Sequence, residues 1–218
     1  MDMRNIQNYI EHTNLKPTIT SEDIEMLLNE AQENNIFGIC VPPFWVKKAK
    51  RDIGKTNIKL ITVIGFPLGY QMSQAKDAEA IQAIKDGADE LDMVLNISAF
   101  KSKMMWPKIE IAKMGKLAHE KNKILKVIIE TAYLNKSEII EACKICADAG
   151  ADFVKTSTGF ASEGAKVEHV ELMRSVLPDH VGIKASGGIK TYEQAMQLIE
   201  AGAERIGTST GPAICKNQ

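Results

Sequence analysis

No run of apolar residues in this chain approaches the roughly 20 needed to cross a bilayer. The opening Met-Asp-Met-Arg-Asn-Ile-Gln-Asn-Tyr-Ile also lacks the apolar core of a secretory leader. Charge of one sign is not in excess: 27 Lys and Arg stand against 28 Asp and Glu, and no basic block is long enough to follow a nucleic-acid backbone. The sequence therefore predicts a cytoplasmic protein with no membrane or nucleic-acid partner. Cysteine is scarce. Of four, Cys143 and Cys146 have CxxC spacing, but no second pair accompanies them, and His12, His119, His169 and His180 are scattered without ligand spacing. Ile139, Cys143, Cys146 and Ala147 share one stripe of an amphipathic helix, so these cysteines read as packing residues, and neither a metal nor a cofactor is expected. A GxGxxG first turn is missing, as is any Pro/Ser-rich linker, which speaks against a dinucleotide fold and for one domain over residues 1–218.

What is present is an alternation of short apolar runs with helical stretches, the pattern of parallel βα units. Strands are predicted at His12 to Leu15, Ile36 to Val41, Ile58 to Ile64, Glu90 to Leu95, Lys126 to Glu130, Asp152 to Thr156, Val181 to Ala185 and Arg205 to Thr208. Helical spacing appears in Ile24, Leu27, Leu28 and Ala31 and again in Ala195, Leu198 and Ile199, the latter behind a capping box at Thr191 to Gln194. A similar joint, with glycine placed to end a helix, recurs at Asp86-Gly87-Ala88-Asp89, Ala149-Gly150-Ala151-Asp152 and Ala201-Gly202-Ala203-Glu204. Eight strands with repeated joints in this length predict a single-domain (β/α)8 TIM barrel, whose function sits in the loops after the strands. The last two strands run into Ser186-Gly187-Gly188-Ile189-Lys190 and Gly207-Thr208-Ser209-Thr210-Gly211, where such barrels often bind phosphate.

Two predicted strands are interrupted by lysine, at Lys155 and Lys184. At its ordinary pKa of about 10.4 a lysine is neutral only about once in a few thousand molecules at pH 7, and lowering that pKa by ~3 units costs about 4 kcal/mol. Burial and a neighbouring cation can supply this and leave a nucleophilic amine, the starting point of a Schiff base. The alternative is a structural pair bridged to carboxylates across the barrel, since ion pairs also perturb pKa values. Asp92 is an acid in a third apolar strand, on the same face as Glu90, and is a candidate for moving protons or for pairing with a lysine.

The segment Asp152-Phe153-Val154-Lys155-Thr156-Ser157-Thr158-Gly159-Phe160 resembles the Schiff-base motif of the deoxyribose-phosphate aldolase family. So do His12-Thr13 with Leu15-Lys16-Pro17, Ile39-Cys40-Val41, Val63 to Gly69, Gly87 to Val94, Lys126 to Thr131, Lys184 to Ile189 and Arg205 to Ser209. The resemblance implies a metal-independent barrel that reversibly cleaves 2-deoxy-D-ribose 5-phosphate to acetaldehyde and D-glyceraldehyde 3-phosphate. It implies Lys155 as imine-forming residue, Lys184 as the cation tuning it, and Asp92 with a water as proton shuttle. Thr158, Gly159, Gly187, Gly188, Gly207, Ser209 and Thr210 would hold the phosphate, with Cys40, Phe66 and Thr13 around the substrate. A phosphosugar is the expected partner, and a homo-oligomer, dimer or tetramer, is compatible with the sequence. Two departures stand out: Glu11 replaces the family's usual Asp, which is expected to displace any hydrogen bond made there, and the chain ends at Gln218 without the tyrosine that closes many members. Two other readings share the barrel: a Schiff-base enzyme for another phosphorylated carbonyl compound, and a phosphosugar-binding module without turnover.

Overall fold

The computed structural model describes residues 5–216; Met1 to Arg4 and Asn217-Gln218, on which the expectation about a closing tyrosine falls, lie outside the described residues. Eight parallel strands close into a barrel in sequence order. In chain order the elements are β1 (Ile10–Thr13), α1 (Ser21–Glu33), β2 (Gly38–Val41), α2 (Val46–Ile53), β3 (Lys59–Ile64), α3 (Ser73–Asp86), β4 (Glu90–Val94), α4 (Ile97–Lys101) and α5 (Trp106–His119). They continue with β5 (Ile124–Ile128), α6 (Lys136–Asp148), β6 (Phe153–Lys155), α7 (Val167–Val176), β7 (Gly182–Ser186), α8 (Tyr192–Glu200), β8 (Arg205–Thr208) and α9 (Gly211–Lys216). This is the (β/α)8 barrel expected from the alternating pattern, and no helix among the described residues is long and apolar enough to cross a membrane.

Local chemistry explains the repeat. Thr20, Asn135 and Thr191 each close a capping box at the start of α1, α6 and α8. The three expected glycine joints follow α3, α6 and α8, with Gly87, Gly150 and Gly202 all at positive φ, where a Cβ would be strained. Cys143 and Cys146 are buried on α6 beside Ile139 and Ala142, packing against the sheet; Ala147 is only partly buried.

The strand ends differ from the sequence expectation. β1 starts two residues earlier than His12, and past Thr13 the chain turns, with the Asn14 amide still donating to the Cys40 carbonyl. β5 ends at Ile128 rather than at Glu130, because Glu130 takes a left-handed conformation at φ +50° that no ladder accommodates. β6 keeps only three residues, although the backbones of Asp152 and Thr156 on either side of it still bond to the neighbouring segments.

Side-chain alternation divides the interior into two cores. Outward-facing Ile39, Leu60, Leu91, Val127, Val154, Ile183 and Ile206 join the helices in one apolar core. Inside the barrel the apolar cluster is small: Cys40, Ile61 and Val63, with Leu15 and Phe66 against them. Much of the rest of the interior is charged. At its amino-terminal end the Arg205 guanidinium lies 4.0 Å from the Phe37 ring centroid and 5.4 Å from that of Phe153. Gly182 makes room for this stack, because a Cβ there would stand 2.3 Å from Phe153 Cε1. Gly182→Ala is therefore expected to cost about 1–3 kcal/mol by overpacking. Urea unfolding measures this, and an unchanged midpoint would show that the stack has slack.

Candidate active site

Strand register brings the buried charges together. Asp92 pairs with Lys126 across β4 and β5, and Lys155 with Lys184 across β6 and β7. The Asp92 carboxylate sits among three lysine side chains: its Oδ2 accepts from Lys155 Nζ at 2.8 Å and from Lys184 Nζ at 2.7 Å, and its Oδ1 from Lys126 Nζ at 2.9 Å. Glu11 Oε2 takes a second bond from Lys184, and Glu11 Oε1 lies 3.2 Å from Lys126. Glu90 Oε2 approaches Lys126 at 2.5 Å. All six side chains are essentially closed to solvent, Lys155 being 3% exposed.

The three lysines differ in how many carboxylates they face. Lys126 has three, Lys184 two and Lys155 one, and that one is shared with Lys184. Burial disfavours the charged form of each. At Lys155 burial wins: with Asp92 opposing and the Lys184 cation assisting, its pKa is lowered. At Lys184 burial is outweighed by Asp92 and Glu11, and at Lys126 by Asp92, Glu11 and Glu90, so both are raised. Burial also acts against the Asp92 carboxylate, but Lys126, Lys155 and Lys184 overcome it and hold the group well below the usual carboxylate range. Glu11 is lowered in the same way, by Lys126 and Lys184 against its burial. Charge balance agrees. Three carboxylates, Glu11, Glu90 and Asp92, face three cations, Lys126, Lys184 and Arg205, the last 3.9 Å from Glu11, so the cluster is neutral when Lys155 is uncharged.

Lys155 is also the one of these lysines that lines an open cleft, a cavity of 280 Å³ at the carboxyl ends of β6, β7, β8 and β1. Thr13, Thr158, Gly159, Gly187, Gly188, Gly207 and Ser209 line it as well. Two loops are stitched along its wall: Ser186 Oγ donates to the Ser157 carbonyl at 2.6 Å, and the Ala165 amide to the Gly187 carbonyl at 3.0 Å. Among the described residues, the amides of Gly159, Gly187, Gly188 and Ser209 donate to no protein acceptor. Four free N–H groups around one cavity make a site for an anion such as phosphate, and the exposed Lys16 and Lys190 add positive charge at the rim.

Not every expected residue reaches the cleft. Thr210 is not on its wall; its hydroxyl lies within hydrogen-bond reach of the Thr208 hydroxyl and the Ile189 and Lys190 carbonyls. Thr158 is on the wall, but its N–H and O–H both donate to Glu130 Oε2. Cys40 and Phe66 belong to the apolar cluster beside it: the Cys40 thiol, pushed up to about 11 by burial, is un-ionised, and Phe66 meets the cleft-lining Phe160 edge to face at 5.2 Å. Sequence reasoning passed over Lys126, Glu130, Lys16 and Lys190, and took Glu90 only as a face-mate of Asp92. The signal for Lys126 was available, since it interrupts Leu125 and Val127 as Lys184 interrupts Ile183 and Ala185. Glu11, one methylene longer than the family's usual Asp, reaches both Lys184 and Lys126.

Comparison with known proteins agrees with this geometry. A family model described as "DeoC/LacD family aldolase" matches residues 5–217. A protein of Thermococcus kodakarensis named deoxyribose-phosphate aldolase is 52% identical over 217 residues, covering 98% of this chain and 97% of that one. Among solved structures, one titled "QR15, an Aldolase" superposes with a TM-score of 0.93 at 43% identity, covering 98% of this chain and 95% of that one. The tetrameric deoxyribose phosphate aldolase of Aeropyrum pernix superposes with a TM-score of 0.92 at 32% identity, covering 98% and 91% of the two chains. With a lysine of lowered pKa at the mouth of a closed parallel barrel, and a family match over nearly its whole length, the chain belongs to the DeoC/LacD family of aldolases.

Proposed function

We propose that this chain reversibly cleaves 2-deoxy-D-ribose 5-phosphate to acetaldehyde and D-glyceraldehyde 3-phosphate through a Schiff base on Lys155. The observation that carries the reading is the asymmetry among the three lysines gathered on Asp92: of these, the one with fewest carboxylates and a lowered pKa is the one that faces the cleft. The names of the relatives supply the substrate, and the free amides of Gly159, Gly187, Gly188 and Ser209 supply a place for its phosphate.

Neutral Lys155 Nζ attacks C1 of the open-chain sugar, and protonation of the carbinolamine hydroxyl followed by loss of water gives an iminium. The iminium draws electrons from the C2–C3 bond while the C3 hydroxyl gives up its proton. The bond breaks, C3 becomes the carbonyl of glyceraldehyde 3-phosphate, and C1–C2 is left as an enamine on Lys155. Protonation at C2 and hydrolysis of the resulting iminium release acetaldehyde and restore the amine. Asp92, kept ionised by the lysines around it, takes up and returns the proton through a water, and Lys184, bonded to the same Asp92 oxygen, is the second group able to pass it. Lys126 stays charged throughout and fixes the other Asp92 oxygen.

We infer that the enzyme works in the cytoplasm, in keeping with its four free cysteines, and as a homo-oligomer. The tetrameric Aeropyrum pernix relative supports assembly, as does an exposed apolar surface of Tyr70, Met72, Met104, Met105 and Trp106. Light scattering is expected to return a multiple of the chain mass, and a monomer at micromolar concentration would contradict the inference. For the chemistry, borohydride added with deoxyribose 5-phosphate is expected to leave a reduced two-carbon or sugar adduct on Lys155, seen by peptide mass spectrometry and absent from Lys155→Ala. Reduction without any adduct on Lys155 would sink the aldolase reading.

A further inference from the structure

Glu130 is a buried acid beside the cleft that the chemistry above leaves unused. It follows β5 in the loop beside the cleft, is 2% exposed, and has φ +50°, a left-handed conformation that a residue with a Cβ adopts rarely. Only one of its carboxylate oxygens is used. Oε2 accepts from the Thr158 amide at 3.0 Å and from the Thr158 hydroxyl, while Oε1 is buried without a partner, as is the neighbouring Thr131 Oγ1. A half-satisfied carboxylate on a strained backbone is a poor choice for stability alone. Glycine would suit that φ, and an amide would be easier to bury.

The partner explains the choice. Thr158 Oγ1 gives its proton to Glu130 and accepts the Phe160 amide at 3.0 Å, so every polar group of its side chain is committed. With the donors of Thr158 and Phe160 turned inward, the residue between them, Gly159, keeps a free N–H on the cleft wall. Two charge-assisted bonds from one carboxylate thus fix a turn that would otherwise be a flexible Thr-Gly segment. Gly187, which packs against Gly159, is held by a different bond, from the Ala165 amide to its carbonyl.

We propose that Glu130 is a positioning residue that sets the enzyme's preference for phosphorylated over unphosphorylated substrate, by clamping Thr158 so that the Gly159 amide meets the phosphate. This rests on the aldolase reading for its substrate, but not for the clamp itself. Glu130→Gly removes the carboxylate while suiting the backbone; Glu130→Gln keeps a neutral acceptor. For each variant and the wild type, inorganic phosphate affinity is measured by calorimetry, and kcat and KM with both 2-deoxyribose 5-phosphate and 2-deoxyribose.

Loss of two charge-assisted bonds is expected to weaken phosphate binding about tenfold or more in Glu130→Gly. KM for the phosphorylated sugar rises more than kcat falls, and the ratio of kcat/KM for the phosphorylated over the plain sugar drops by about the same factor. Glu130→Gln recovers most of the loss. Equal losses on both sugars would mark a merely structural role and overturn the proposal, as would unchanged phosphate affinity in Glu130→Gly or a Glu130→Gln no better than Glu130→Gly. If Glu130→Gly does not fold, Thr158→Val removes the hydroxyl partner instead and is judged by the same ratio. A wild type that turns over neither sugar contradicts the aldolase reading, and the phosphate affinities still decide the clamp.

Discussion

One carboxylate, Asp92, binds three lysines inside a barrel that excludes water, and the chemistry of the site follows from how that carboxylate is divided. Removing a charged group from water is costly, and the cost is recovered only where opposite charges are close and hydrogen-bonded. Lys126 recovers it three times over and Lys184 twice, so both remain ammonium ions. Lys155 has only a share of Asp92, already neutralised on its other sides, and its pKa is lowered. The same interaction makes the amine available and keeps an ionised carboxylate beside it.

The barrel is what makes this arrangement persist. Closure between β1 and β8 carries Glu11 to Lys184, residues far apart in the chain, and the apolar outer core clamps the strands in register. An open sheet would expose one side of the cluster to water, where ion pairs are worth little. Arg205, held between Phe37 and Phe153, closes the other end and supplies the charge that leaves the cluster balanced with Lys155 neutral. Above it, free amides in three loops line the cleft, so that a charge-balanced core and a row of unpaired N–H groups meet at Lys155.

Much of this was legible in the sequence, for local reasons. Apolar runs, capping boxes and glycine joints are set by neighbouring residues, and they specify the barrel. Lys155, Lys184 and Asp92 stood out because charge in a predicted strand is costly wherever the strand ends up. Lys126 carries the same mark but leads into no glycine loop, and it was passed over. What was not legible depends on register and backbone conformation. That Glu11 meets Lys184 is a property of closure, and Glu130, read as the last residue of a strand, is instead a left-handed loop residue. The resemblance placed Thr158 and Thr210 at the phosphate but could not give their partners; in the structure those hydroxyls bond to the protein itself.

The central claim is that unequal sharing of carboxylates makes Lys155, of the three lysines on Asp92, the one that gives up its proton most readily. Nitrogen-15 NMR of the lysine side chains, followed across pH in the folded protein, tests it directly. Lys155 Nζ should lose its proton below the ordinary lysine range while Lys184 and Lys126 keep theirs, because their folded pKa values lie above it. Replacing Lys184 with methionine should then move the Lys155 titration upward, since a cation that favours the neutral amine has gone. A Lys155 that titrates with the exposed lysines, or a Lys184 that deprotonates before it, would contradict the account.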